Sequence, residues 1–178
     1  MTIQTSRLLI RDLSVSDLDN IHHLHSLPET DRFNTLGIPE TILETQELLT
    51  EWLSHQNQDP RNSYIFSIEL PGSREFLGLI ALIRGKEKYR IAETWYKILP
   101  GHWGRGYATE ALSGLLDFGF KKLKLHRIEA GCAVDNTASA QVLEKVGMVK
   151  EGRKRKKLPI RGEWQDNFFY AILEEDFV

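Results

Sequence analysis

Hydrophobic positions along the chain recur with two periods, and the places where the period changes mark the elements. Leu8 to Arg11 reads as a strand. Ser14-Val-Ser-Asp17 then offers caps for a helix running toward Leu27, with Leu18, Ile21 and Leu24 on one face. Residues 28–40 mix Pro, Gly, Asn and Thr and read as a loop. A second helix carries Leu43, Leu48, Leu49 and Trp52 and ends near His55. After the polar loop QNQDPRNS come three strands in succession: Ser63 to Leu70, Phe76 to Arg84 and Arg90 to Leu99. Pro71-Gly72-Ser73 turns the first into the second, and Pro100-Gly101 closes the third. Ala108, Ala111, Leu112, Leu115 and Leu116 form the next helical stripe. His126 to Val134 is a strand with Ile128, Ala130, Cys132 and Val134 on one face. Asp135-Asn136 caps a helix carrying Ala138, Val142 and Val146, which Gly147 stops. Two strands finish the chain, Met148 to Leu158 and Glu163 to Leu173, joined around Pro159 to Gly162. The order predicts a layered, mixed α/β fold with a parallel pair where the helix after residue 107 crosses over.

Composition narrows the picture. At 178 residues the chain fits one domain spanning 1–178, with no repeat or linker, long enough to bury a substantial core. Hydrophobic residues are 41% and charged residues 27%, and the net charge of −2 gives no general pull toward nucleic acid or anionic membrane. No apolar run approaches the roughly 18 residues of a membrane span, and the N-terminus lacks the apolar core of a signal peptide. Cys132 is the only cysteine, so an intrachain disulfide and a cysteine-rich metal site are excluded. A cytoplasmic location is the expectation.

The segment GHWGRGYATEA, residues 101–111, sets three glycines immediately before a helix. One reading is a tight strand-to-helix turn. The other is a phosphate cradle, because a helix N-terminus exposes unpaired N–H groups and glycine lets backbone approach an anion. The spacing matches neither the Walker pattern, which needs a Lys-Ser/Thr pair, nor G-x-G-x-x-G. Spacing alone leaves both readings open.

WGRGYATEA, the preceding AETWYKILP and the following HRIEAGCAVDNTASAQVLEKVGM together resemble the GNAT acetyltransferase superfamily. TSRLLIRDL, EGRKRK and DNFFYAILEEDF extend the likeness over nearly the whole chain and point to its RimJ/RimL-like branch of N-acetyltransferases. The resemblance implies the GNAT fold, a mostly antiparallel sheet flanked by helices with splayed parallel strands at an acetyl-coenzyme A (acetyl-CoA) site. It also implies direct transfer of an acetyl group from acetyl-CoA to a primary amine, without metal. The α-amino terminus of a protein or peptide is the acceptor the branch suggests; aminoglycosides, polyamines and amino acids stay open. A homodimer is a family expectation only.

Carried over residue by residue, the resemblance places the pyrophosphate on Trp103, Gly104, Arg105, Gly106, Tyr107 and Ala108. Trp103 stands where the superfamily has Gln or Arg, which removes one polar contact. The backbone of Ile98 and Leu99, with Asn136, would hold the pantetheine arm. A Tyr seven residues after that Asn serves many members as general acid; here the position is Leu143, which has no proton to give. Ser139, three residues after Asn136, matches the branch and becomes the candidate partner of the leaving sulfur and of the cofactor. Glu93 matches an acidic strand residue and is the candidate base; Glu129 is a weaker one.

Other features invite chemistry that the pattern supports less well. KEGRKRKK, residues 150–157, suits a solvated edge strand better than an RNA-binding strip, with Arg153, Arg155 and Lys157 on one face. His22, His23 and His25 suggest a metal cluster, but no further ligand is evident and an exposed helix is the expectation. Trp95, Tyr96 and Trp164 are candidates for an acceptor pocket or for core, and Cys132 reads as core. A chain that binds acyl-CoA or a protein without catalysis is the alternative to an enzyme.

Overall fold

The computed structural model describes residues 1–177. Eight strands form: β1 (Thr2–Gln4), β2 (Leu9–Asp12), β3 (Ser63–Glu69), β4 (Phe76–Arg84), β5 (Ile91–Ile98), β6 (Arg127–Ala133), β7 (Val149–Ile160) and β8 (Glu163–Leu173). Five α-helices accompany them: α1 (Leu18–Ser26), α2 (Pro28–Asp31), α3 (Ile42–Gln56), α4 (Tyr107–Lys121) and α5 (Thr137–Lys145). The strands make one sheet in the order β1-β2-β3-β4-β5-β6-β8-β7. Every neighbouring pair is antiparallel except β5–β6, the pair that α4 connects. The mixed fold, the crossover and the element order expected from the pattern are all present.

Strand alternation divides the buried side chains between two faces. Ala92, Tyr96 and Ile98 of β5 join Ile128, Ala130 and Cys132 of β6 and Tyr170 and Ile172 of β8 under α4 and α5. Ala111, Leu112, Leu115 and Leu116 seat α4 there, all fully buried, and each leucine contributes about 2 kcal/mol of apolar burial. On the other face Trp95 and Leu99 pack with Leu24 of α1 and Leu49 and Trp52 of α3. α1 packs on β4 and α3 on β3, so this second face is helix-covered on the β3–β4 side of the sheet.

The parallel pair is short. β5 and β6 are paired only from Ile91/Arg127 to Thr94/Ala130. Beyond that point both strands continue, to Ile98 and Ala133, without pairing each other. The sheet is therefore split open at one end. β4 and β8 hold the outer edges of the split. At Gly78 of β4 a Cβ would stand 2.1 Å from the carbonyl oxygen of Lys97, so only glycine lets β4 lie this close to the opening strand.

Four details differ from expectation. β1 is an additional edge strand; three residues are too few to show alternation. α2 lies inside the segment read as loop, started by Pro28 at its first position. The histidines of α1 divide: His23 is exposed as expected, whereas His22 Nδ1 bonds the Thr45 hydroxyl at 2.8 Å and His25 is buried edge-on against Trp52. Burial, then the charges of Lys97 and His22, pulls His25 down to about 3 and keeps it neutral. β7 is the exposed edge strand expected, but its simple alternation breaks between Lys154 and Leu158, where Lys156 takes φ 49°.

The β7–β8 hairpin runs past the end of β6, whose last pairing is Ala133 with Asn167. Its tip therefore lies at the open end of the split. There Arg161 reaches α2, with Nε on Asp31 Oδ2 at 3.0 Å and a second nitrogen on the Pro28 carbonyl at 2.9 Å.

Candidate active site

The structure of the glycine segment bears on both readings of its sequence. Gly104 and Gly106 take φ of 73° and 79°, the left-handed region that the turn requires. The same turn leaves the helix start bare. The first intrahelical bond of α4 runs from Glu110 N–H to Gly106 carbonyl at 3.0 Å, and Gly106 has no side chain to cap with. The N–H groups of Tyr107, Ala108 and Thr109 therefore lack helical partners and carry the positive end of the helix dipole. Gly104, Arg105 and Gly106 are exposed beside them.

A knot of polar contacts from the N-terminal segment fixes this turn. Glu110 accepts from Thr5 Oγ1 at 2.6 Å, Ser6 Oγ at 2.9 Å, Arg7 N–H at 2.7 Å and Arg7 Nε at 2.6 Å. Burial raises the Glu110 carboxyl, but these bonds outweigh it and hold it at about 2. Arg7 also donates to the Arg105 carbonyl at 3.1 Å and lies over the Tyr107 ring at 4.8 Å. The acidic residue in the first turn of α4 is thus already matched, and the turn keeps its attraction for an anion. A groove of about 700 Å³ runs from here along α4, past Thr109, Ser113 and Asp117 to Lys121 and Lys145. It has the size of a small-ligand site.

The split strand presents backbone to the same region. Leu99 N–H bonds Leu77 carbonyl at 2.8 Å. In an antiparallel ladder this direction alternates, so Lys97 also faces β4, while Tyr96 and Ile98 turn their backbone groups into the opening. Of the two predicted strand residues, Ile98 presents its N–H and Leu99 does not. The Ile98 carbonyl is taken by the indole Nε1 of Trp103 at 2.7 Å. Trp103 thus uses its polar atom on the protein's own backbone, although half of the residue is exposed (52%).

Opposite stands the start of α5. Asn136 Oδ1 accepts the Ser139 N–H at 3.1 Å and caps the helix. Ser139 Oγ is then hydrogen-bonded to the Tyr96 hydroxyl at 2.9 Å, across from β5 to α5. Burial keeps the Tyr96 phenol protonated, its pKa raised despite the opposing bond to Ser139. Leu143 is fully packed in the core, but the phenol of Tyr96 supplies a hydroxyl to this site from the strand. Cys132 lies in the same core, its thiol pushed up to about 11 by burial.

Ser139, Asn136, Tyr96, Ile98 and the glycine turn lie on the α4–α5 side of the opening. Glu93 does not join them. It is exposed on the opposite face of β5, level with Glu129 of β6, and about 10 Å along the strand from Tyr96. Glu129 is held by Arg127 Nε at 2.7 Å. Trp95 and Lys97 share the face of Glu93, whereas Trp164 is exposed on the hairpin. Among the described residues no group of three His, Cys, Asp or Glu is placed to hold a metal, and no helix is long and apolar enough to cross a membrane.

An open parallel pair beside a bare helix start on its crossover has a recognisable counterpart. The profile of the acetyltransferase (GNAT) domain matches residues 7–149. The chain belongs to the GNAT acetyltransferase family. This GNAT acetyltransferase is 33% identical to the uncharacterized N-acetyltransferase YnaD of Bacillus subtilis (strain 168), over 99% of both chains. It superposes on the GNAT-family acetyltransferase of Bacillus anthracis with a TM-score of 0.86, at 33% identity, covering 98% of this chain and 99% of that one. The spermidine N-acetyltransferase of Vibrio cholerae, solved with CoA and spermine, superposes with a TM-score of 0.85 at 30% identity, covering 97% and 98%. Acetyl-CoA is the family's acetyl donor, and the bare turn of α4 is the kind of site its pyrophosphate needs.

Proposed function

We propose that this GNAT acetyltransferase acts on the α-amino terminus of a protein or peptide, as the RimJ/RimL-like motifs of its sequence suggest, in a reducing cytoplasm. The observation that supports the transfer chemistry is the Tyr96–Ser139 hydroxyl pair, 2.9 Å apart beside the open strand edge. The pyrophosphate of acetyl-CoA binds the N–H groups of Tyr107 and Ala108, with Arg105 adding charge and Gly104 and Gly106 giving clearance. Asn136 and the edge of β5 guide the pantetheine arm. Ile98 N–H, facing the opening, stabilises the oxyanion as the amine nitrogen adds to the thioester carbonyl carbon. When the carbon–sulfur bond breaks, Ser139 donates a hydrogen bond to the departing thiolate, which takes its proton from solvent, with Tyr96 holding the Ser139 hydroxyl in place. The amine arrives from the opposite face, where Glu93 takes up the proton that nitrogen loses, through water. An α-amino group, with a pKa of about 7.7 to 8, is partly neutral near pH 7 and needs little further help.

The charge of the hairpin supports a peptide over a polycation. A groove of about 930 Å³ is lined by Arg153, Arg155, Lys156 and Trp164 beside Asp135 and Asp166. Arg161 stands at the tip. With Arg153 paired to Asp166 and Arg161 to Asp31, Arg155 and Lys156 are left against Asp135, so this surface offers a chain of ammonium groups no acidic seat and suits a neutral peptide body. The second reading, a polyamine acceptor, is supported by the spermidine N-acetyltransferase relative. Coenzyme A release with a panel of amines separates them. Turnover with free N-terminal peptides above that with spermidine is expected, and none with N-acetylated peptides. A higher kcat/KM with spermidine establishes the second reading. Acetyl-CoA binding without release for any amine makes the chain a binding module.

A further inference from the structure

Lys97 is the ionisable side chain of the open strand that the transfer chemistry leaves without a task. It stands between Tyr96 and Ile98, whose backbone faces the opening, and its side chain is on the face by which the amine arrives. It is half-buried. Among the described residues its ammonium group makes no ion pair within 4.0 Å; the acid whose charge reaches it, Asp31 of α2, is engaged by Arg161. His25 of α1, the other titratable neighbour, is buried and neutral. Trp95 and Trp52 wall this face with their rings 6.1 Å apart. Burial lowers the lysine to about 8, with Asp31 opposing. A desolvated lysine of this kind is a nucleophile at neutral pH, as an exposed one is not.

We propose that Lys97 is an internal acetyl acceptor: with acetyl-CoA bound and no amine on the acceptor face, the enzyme acetylates its own Nζ. This rests on the acetyl-CoA site described above. The nitrogen lone pair adds to the thioester carbonyl carbon, the carbon–sulfur bond breaks and the amide bond forms. One proton passes from nitrogen to the coenzyme A sulfur, so no further reactant is needed. The product is longer than lysine and uncharged, and it occupies the path of the incoming amine.

The test is peptide mapping by mass spectrometry after incubation with acetyl-CoA and no amine. Acetylation at Lys97 ahead of the exposed lysines of 150–157 is expected. S-acetyl-N-acetylcysteamine, a thioester without the nucleotide, is expected to label Lys97 at least about tenfold more slowly, because it lacks the positioning that binding supplies. Lys97→Arg is expected to lose the label while retaining the rise in melting temperature that acetyl-CoA produces. Equal labelling by the two thioesters overturns the proposal, since the lysine is then merely reactive. A melting rise without label at Lys97 also overturns it and leaves the acetyl-CoA reading intact. Absence of any melting rise overturns that reading and the proposal with it.

Discussion

Two helices begin at the site, and their first turns are completed in opposite ways. At α5 the Asn136 side chain accepts the Ser139 N–H and the turn is satisfied internally. At α4 the residue in the equivalent place is Gly106, and the first N–H groups have no such partner. The satisfied turn fixes the Ser139 backbone, and the Tyr96 phenol then holds its hydroxyl. The bare turn holds its donors for something external. A cap costs affinity where an anion must bind and supplies rigidity where a hydroxyl must be aimed.

The largest expected effect comes from making the first turn resemble the second. Gly106→Asp puts a carboxylate among the free donors at a φ that aspartate tolerates. Two or more charge-assisted hydrogen bonds are lost at roughly 1.5–3 kcal/mol each, so Kd for acetyl-CoA rises by about 100-fold or more. In the wild type, ligand at about 100 times Kd adds roughly 2.7 kcal/mol and raises Tm by about 5 to 10 °C. A variant that keeps this rise removes Gly106 from the site. Next come the hydroxyls. Tyr96→Phe and Ser139→Ala are each expected to lower kcat by about 10- to 100-fold, with the acetyl-CoA melting rise unchanged. If the pair acts as one unit, the double variant loses no more than the worse single; fully additive losses separate their roles.

Asn136→Ala then tests the capped turn. Loss of the cap costs about 1 kcal/mol and lowers Tm by about 2–4 °C. The last test concerns the knot beneath α4. Glu110 has its carboxyl lowered from 4.5 to about 2 by its donors. A lowered carboxyl contributes stability that is present above its ordinary value and lost as pH falls through the folded one. Urea midpoints of the wild type and Glu110→Gln should therefore differ most above about pH 5 and converge toward pH 2. A constant difference across that range removes Glu110 ionisation from the account.

The two turns also show what a sequence can reveal. Both are local: glycines in one, Asn three residues before Ser in the other, so each is legible in a short window. The long strands are legible for the same reason: β4, for example, is a continuous apolar run, FLGLIALI, that stands out between its turns. β1 and α2 are not, because three or four residues hold no period, and α2 is tied down by Arg161 from 130 residues away. The burial of His25 depends on Trp52 of another helix. The contacts that finish the site span long separations, 43 residues for Tyr96–Ser139 and 103 for Arg7–Glu110. No window contains both partners. Tyr96 is accordingly legible as an aromatic strand residue but not as the hydroxyl that faces Ser139. Glu93 is legible as an acid on a strand, while the face it occupies follows only from the sheet.

The indole of Trp103 gives the bare turn an optical signature. It is half exposed, its N–H is engaged with Ile98, and it lies between the glycine turn and the open strand. In the proposed binding mode, coenzyme A settling into that corner is expected to take the ring out of water. Its emission should then shift to shorter wavelength, and a fluorescence titration reads occupancy without a label. Trp52 and Trp95 are packed against each other and contribute a steady background. Trp164 is the other exposed indole, so a Trp164→Phe protein isolates the signal and lets association be followed in real time.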